Sequence, residues 1–405
     1  MIQTSNFWLL LFSTVLIYWF LPLKFRAGFL ALASYAYLAS IEPVAVTVLI
    51  AWILVFFYVT PHAMTEKQPT RLIVPALILA ILGYLFYYKY FPILVGLFPT
   101  LEFLKSPIVP LGISYFTFKL IHYAVEVVRG NITDRSLSRF FCYIFLYPIF
   151  TAGPIERFDH FLANREDSWQ RQSMVEGATR IVYGLIKLFV IGKLFIAQLL
   201  QPWVTGGSVL TPLDLISHLT SLQTHEVWGY LALTFLYAYI EFSAYSDIAI
   251  GASRLYGFRI MENFNFPILA SNIGEFWKRW HMTLVGWIQR YIYLPTIGLT
   301  RSPYAAVYST FLTMGLWHGA TSNWILWGAY HATGVSIFLT WGRIKRSRGW
   351  HTVLGNSWKY VGVPFTFAFV TGSYAFSATS GYGGWTGLRV FAKLLGYNLG
   401  LNPLH

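Results

Sequence analysis

Charge is scarce in this chain of 405 residues: Asp, Glu, Lys and Arg make up 11% of it, hydrophobic residues 56%, and the mean hydropathy is +0.54. That balance excludes an ordinary soluble globular domain. Cysteine is almost absent. Cys142, alone in the apolar run RFFCYIFLYPIF, has no intramolecular partner for a disulfide and reads as packing. Acidic residues are few, 16 against 29 Lys and Arg, for a net charge of +13. The basic residues are scattered through short loops without a basic domain or RNA motif, which argues against nucleic acid as a partner. Strict apolar–polar alternation over short strands is missing too, so a membrane β-barrel is set aside. No repeat, low-complexity tract or long linker divides the chain, and residues 1–405 read as one membrane domain.

What the sequence has in abundance is apolar runs. FWLLLFSTVLIYWFLPL is long enough to cross a bilayer as a helix. Further runs fall near 29–40, 43–60, 72–96, 110–128, 139–151, 178–200, 227–250, 303–317, 323–341 and 358–378. At about 20 residues per crossing, the expectation is an all-α, polytopic transmembrane bundle of roughly ten spans, the shorter runs being re-entrant or half-buried. The first run, near 6–23, has no basic residues before it and no small-residue cleavage site after it, and so reads as a retained helix. Arg343, Lys345, Arg346 and Arg348 form the densest basic cluster, placed in the cytoplasm by the positive-inside rule, next to anionic lipid headgroups.

Polar residues inside such a chain are costly and are functional candidates for that reason. In MGLWHGATSNWILWGAYHATG, His318 sits between Trp317 and Gly319, just before a polar break, and is either a catalytic or a hydrogen-bonded core histidine. Gly319 lets a backbone or a substrate approach the imidazole. His331 lies 13 residues on, nearly 20 Å away along a continuous helix, and reads as donating to a carbonyl near a helix end. Segment 262–298 mixes aromatic and charged residues, as interfacial or protein-buried helices do. There Asn272 caps a helix with Glu275 in its first turn, Glu275 and Arg279 pair, and His281 follows on the same helix one turn past Trp277. Glu241 and Asp247, in YIEFSAYSDIAIGASRLYGF, line a polar tunnel or tie helices together. Lys119, His122 and Glu126 make a hydrogen-bonded seam, and Glu156 with Arg157 a solvated loop pair. No HExxH, CxxC or carboxylate cluster accompanies any histidine, so neither a metal nor a held cofactor is expected.

PLGISYFTF, TAGPIERF, YSDIAIGASRLYGF, ENFNFP (with Asn263), EFWKRWHMTL and LWHG followed by WGAYH occur in that order. Together they resemble the membrane-bound O-acyltransferases, in particular the bacterial branch of alginate O-acetyltransferases and teichoic-acid D-alanyl transferases, over about residues 109–334. The resemblance implies helices around a central tunnel in the bacterial inner membrane. In it an acyl group would pass from a cytoplasmic thioester, acyl-CoA or an acyl carrier protein, to a hydroxyl of an extracytoplasmic glycan. It also implies a periplasmic or extracellular acyltransferase partner. His318 then matches the family's catalytic histidine and His281 the second histidine of this branch. Trp317, Glu241, Asp247, Arg279, Asn263 and Lys119 are the tunnel or structural candidates. His318, a neutral imidazole among Trp and Leu residues, would accept a hydroxyl proton near pH 7 as general base while His281 orients or stabilises, and His281, the Trp317 indole or a backbone amide can face the developing oxyanion. One departure stands out: where many relatives have Arg-Asp, this chain has Gln289-Arg290. The rival readings are D-alanyl transfer from an acidic carrier protein docked on the Arg343–Arg348 loop, and a proton-coupled transporter or flippase.

Overall fold

The computed structural model describes residues 2–64, 72–96, 109–200, 212–350 and 357–399. Among these the fold is all-α, with no β-structure beyond a lone bridge between Arg165 and Phe258. The first half holds α1 (Ser5–Phe20), α2 (Leu23–Ala39), α3 (Pro43–Val59), α4 (Ile73–Lys89), α5 (Phe91–Gly96), α6 (Ile113–Val128), α7 (Leu137–Phe145), α8 (Phe158–Ala163) and α9 (Arg171–Leu185). Next come α10 (Ala197–Leu200), α11 (Pro212–Ser217), α12 (Thr224–Leu255), α13 (Ile273–Trp277), α14 (Met282–Ile288) and α15 (Leu294–Thr300). The last are α16 (Pro303–His318), α17 (Ser322–Ser347), α18 (Trp358–Ser377) and α19 (Gly384–Leu394). They form two compact units, Met1–Leu185 with Ala244–Glu262, and Ile186–Ser243 with Asn263–His405.

Two helical runs, Pro43–Ala63 and Arg171–Leu200, are long and apolar enough to cross a membrane; Ser5–Phe20 and Ile73–Lys89 are apolar but shorter. Leu9, Phe12, Leu16 and Phe20 on α1 point their apolar side chains outward, as lipid contact allows. At 1.5 Å per residue, α13 and α14, of five and seven residues, reach only about 10 Å. Neither can cross a hydrocarbon core of about 30 Å, which fits the interfacial or protein-buried character expected of segment 262–298.

Several buried polar groups of the first unit are paired across its helices. Gly177 on α9 and Gly251 on α12 meet backbone to backbone: a Cβ on either would come within 2.8 Å of the other's carbonyl oxygen, the small-residue contact that membrane helices use. Arg180, one turn along, donates through Nε to Asp247 Oδ1 at 2.6 Å and through a terminal nitrogen to Glu262 at 2.5 Å. Of the two roles open to Asp247, this is the tie between helices. Along α6, Lys119 Nζ donates to the Tyr143 carbonyl at 2.9 Å. His122 Nε2 accepts the Phe158 amide at 3.0 Å, and Glu126 accepts from Arg129 and Asn131 at 2.9 and 2.6 Å. The polar stripe is therefore the seam that its spacing predicts.

Glu156 departs from expectation. Its side chain is buried rather than solvated, because three groups converge on it: the amides of Arg157 and Met261, both at 2.8 Å, and His160 Nδ1 at 3.0 Å. In the second unit, Leu215 of α11, Val227 and Leu231 of α12, Ala375 of α18, and Val390 and Leu394 of α19 form a buried apolar core.

Candidate active site

The second unit carries both histidines of interest, and the local fold explains their positions. Asn272 caps α13 as its side chain predicts: Oδ1 accepts the Glu275 amide at 2.8 Å, while the Glu275 carboxylate turns back to accept the Ser271 amide and hydroxyl at 2.8 and 2.7 Å. Arg279 donates to Glu275 at 2.5 Å, the i, i+4 pair expected. The continuous helix through His281 does not form. In its ladder the Met282 amide would bond the Lys278 carbonyl, and the Arg279 carbonyl would accept from Thr283. Instead Met282 N–H donates to Asn263 O, and Asn265 N–H donates to Arg279 O, both at 2.9 Å. The ENFNFP segment thus takes two bonds that the helix needs. The chain breaks at His281, which adopts the left-handed conformation (φ 44°, ψ 51°) and starts α14 as its N-terminal cap residue.

His281 is 2% exposed. Its Nδ1 lies 2.9 Å from Asn263 Oδ1, and the same oxygen accepts the Thr283 hydroxyl at 2.9 Å. The other ring nitrogen, Nε2, is buried and makes no hydrogen bond among the described residues. Phe242 stands edge-on to the ring at 4.9 Å between centroids, and Trp317 faces it at 6.0 Å.

α16 begins at Ser302, whose hydroxyl accepts the Ala305 amide at 3.2 Å with Pro303 in the first turn, and ends at His318. Trp317 lies edge-on to the His318 ring at 4.7 Å; Trp324 stacks on it at 4.5 Å and 15°; Trp327 meets it edge-on at 5.4 Å. Trp317 thus contacts both histidine rings. The His318 side chain is exposed, not enclosed among Trp and Leu residues as the sequence suggested, because it is the last residue of its helix. The backbone of Gly319 does permit a close approach, but by an indole: a Cβ there would stand 2.6 Å from Trp324 Cδ1.

His331 does not sit at a helix end. It lies well inside α17, 1% exposed, with Trp277, Phe311, Trp327, Tyr330 and Phe369 around its ring, and its Nδ1 has no hydrogen-bond partner. The turn at residues 319–321 folds α17 back on α16, so His318 and His331 both touch Trp327. Glu241 is exposed on α12, and Lys119 and Asp247 belong to the first unit with the partners described above. Gln289 and Arg290 open a stretch of wider, π-type turns, Gln289–Tyr293, an irregularity frequent at functional sites. Sequence reasoning missed Trp324, Trp327 and Thr283. The two indoles were findable, since 324, 327 and 331 share one face of a helix.

Comparison with known proteins gives the family. The model of the membrane-bound O-acyltransferase family matches residues 9–374, taking in the N-terminal helices that motif similarity alone left out. A probable alginate O-acetylase of Azotobacter vinelandii is 33% identical over 357 residues, covering 83% of this chain and 68% of that protein. One from Pseudomonas syringae is 35% identical, covering 83% and 66%. The chain thus spans about two thirds of the length of these relatives. A teichoic acid D-alanyltransferase of Bacillus subtilis is 28% identical, covering 66% of this chain and 68% of its own length. The chain belongs to the membrane-bound O-acyltransferase family, and its class of chemistry is acyl transfer.

Proposed function

We propose that the protein is a multi-pass enzyme of the bacterial inner membrane, its two units working as one membrane-embedded domain of roughly ten spans. It transfers a short acyl group, acetyl in the first instance, from a cytoplasmic thioester to a hydroxyl of an extracytoplasmic glycan, or to a partner acyltransferase that completes the transfer. The observation that carries this reading is the pair of histidine rings in contact with Trp317, one at the end of α16 and the other buried with a bare ring nitrogen. Acyl transfer to a hydroxyl needs a group that takes the hydroxyl proton while the ester bond forms, and imidazole is suited to it near pH 7. One histidine of the pair takes that proton and the other assists it. Alginate O-acetylases among the relatives favour an acetyl group and a polysaccharide acceptor. The Bacillus subtilis relative favours a second reading, D-alanyl transfer to teichoic acid. There the basic end of α17 (Arg343, Lys345, Arg346, Arg348) would receive an acidic carrier protein.

The test is O-acylation of surface glycan, read by mass spectrometry in cells carrying wild type, His318→Ala or His281→Ala at matched membrane levels. Loss of acetyl esters in both variants supports the reading. Unchanged acylation in His318→Ala overturns it, and loss of D-alanyl instead of acetyl esters moves the assignment to the second reading.

A further inference from the structure

We infer that Asn263 is a positioning residue that fixes His281 as the proton-accepting member of the pair; this rests on the proposed acyl transfer. A neutral imidazole has one donor and one acceptor nitrogen. Asn263 Oδ1 is an oxygen and can only accept, and it stands 2.9 Å from His281 Nδ1. Nδ1 therefore carries the hydrogen, and Nε2 holds the lone pair. The same oxygen takes the Thr283 hydroxyl at 2.9 Å, the Asn263 carbonyl takes the Met282 amide at 2.9 Å, and Asn263 is fully buried. Asn263 is thus tied, through its backbone carbonyl and its side-chain oxygen, to the two residues that follow the histidine, 282 and 283.

The consequence moves His281 from the orienting or oxyanion-facing role that the resemblance implies to that of proton acceptor. With its one N–H committed to Asn263, neutral His281 has no donor for an oxyanion, and its buried, unpartnered Nε2 can only receive. In the transfer step the acceptor O–H bond breaks as its oxygen bonds the acyl carbon. The proton is received at Nε2, giving an imidazolium whose Nδ1–H stays on Asn263. As the carbon–sulfur bond breaks, the proton returns to the departing thiolate, leaving ester and thiol. Stabilising the oxyanion falls to other donors, such as the Trp317 indole or a backbone amide.

Two arms test this on the full-length protein in nanodiscs. The first is nitrogen NMR with labelled histidine, His281 being assigned by its loss in His281→Asn; the expected state is Nδ1–H. The second is thiol release from acetyl-CoA across pH for wild type, Asn263→Leu and Asn263→Asp. Asn263→Leu is expected to lower release by about 10²-fold or more. Asn263→Asp keeps an acceptor oxygen, restores most of the rate, and moves the acid limb of the profile to higher pH, because a carboxylate behind Nδ1 favours the imidazolium. A His281 hydrogen found on Nε2, or full release with an unmoved acid limb in Asn263→Leu, overturns the inference. Should wild type release no thiol from acetyl-CoA, the proposed donor fails, and the NMR arm still decides the assignment of Asn263.

Discussion

The buried charged groups of the first unit and the buried ring nitrogens of the second are met in different ways. In the first, Lys119, Glu126, Glu156 and Asp247 are nearly inaccessible, and each is met by groups of complementary kind at hydrogen-bonding distance. In the second, His281 Nε2, His331 Nδ1 and the Trp277 indole nitrogen are buried with no partner. An unpaired buried polar atom costs about 1–3 kcal/mol, and among its described residues the first unit carries such atoms only on hydroxyls and charged groups outside these four, as at Ser34, Thr60 and Thr117. Burial of charge alone therefore does not mark a site in this protein. The informative feature is a buried polar atom held in a fixed orientation with its free valence unused, and His281 is the clearest case.

The largest effect expected from this contrast is on activity. His318→Ala and His281→Ala should each lower acyl transfer by about 10²–10⁴-fold while the proteins remain folded and inserted. Glu156→Gln, equally buried but in the closed network of the first unit, should leave the rate of the folded protein within about tenfold. A rate loss in Glu156→Gln as large as that in His281→Ala would break the comparison. A smaller effect, up to about 10²-fold for a displacement near 1 Å, is expected of Gly319→Ala. Its new methyl would occupy the space of the Trp324 indole that stacks on His318, and assay of the purified variant measures the loss.

Asp247→Ala should act the other way round. It strips Arg180 of one of its two carboxylates on the face where Gly177 and Gly251 bring α9 and α12 together. The expected loss is about 1–3 kcal/mol of stability, seen as a lower thermal midpoint in detergent, with the rate per folded molecule unchanged. A loss of rate without a change of midpoint would return Asp247 to the list of residues that touch substrate.

Much of this was legible in the sequence, for reasons that individual residues show. The Asn272–Glu275 cap and the Glu275–Arg279 pair are local, three and four residues apart, and Lys119, His122 and Glu126 share one helix face, although Lys119 and His122 find their partners at Tyr143 and Phe158, far along the chain. The break at His281 was not legible, because it depends on Asn263 and Asn265, some 14 to 19 positions earlier, capturing hydrogen-bonding groups that local periodicity assigns to a helix. Glu156 was misjudged for the same reason, since one of its donors is the amide of Met261. Family motifs did locate both histidines, but motif spacing carries no information about which ring nitrogen holds the hydrogen.

The smallest expected effect probes the network around Glu156 through a half-buried edge. His160, in the polar segment after Glu156, has its Nδ1 3.0 Å from the Glu156 carboxylate. That hydrogen bond raises the imidazole above its ordinary titration range, although partial burial works against it. A histidine raised on folding contributes stability that is fully present below its unfolded value, about 6.5, and is lost as pH rises through the folded value. Wild type should therefore exceed His160→Gln in thermal midpoint at pH 6, and the gap should narrow toward pH 8. The fully buried Glu156 keeps its amide donors from Arg157 and Met261 throughout, so the network should persist when the histidine loses its charge. A gap that widens with pH would mean that His160 binds Glu156 better as a neutral donor than as a cation, and that the carboxylate is already satisfied by its two amides.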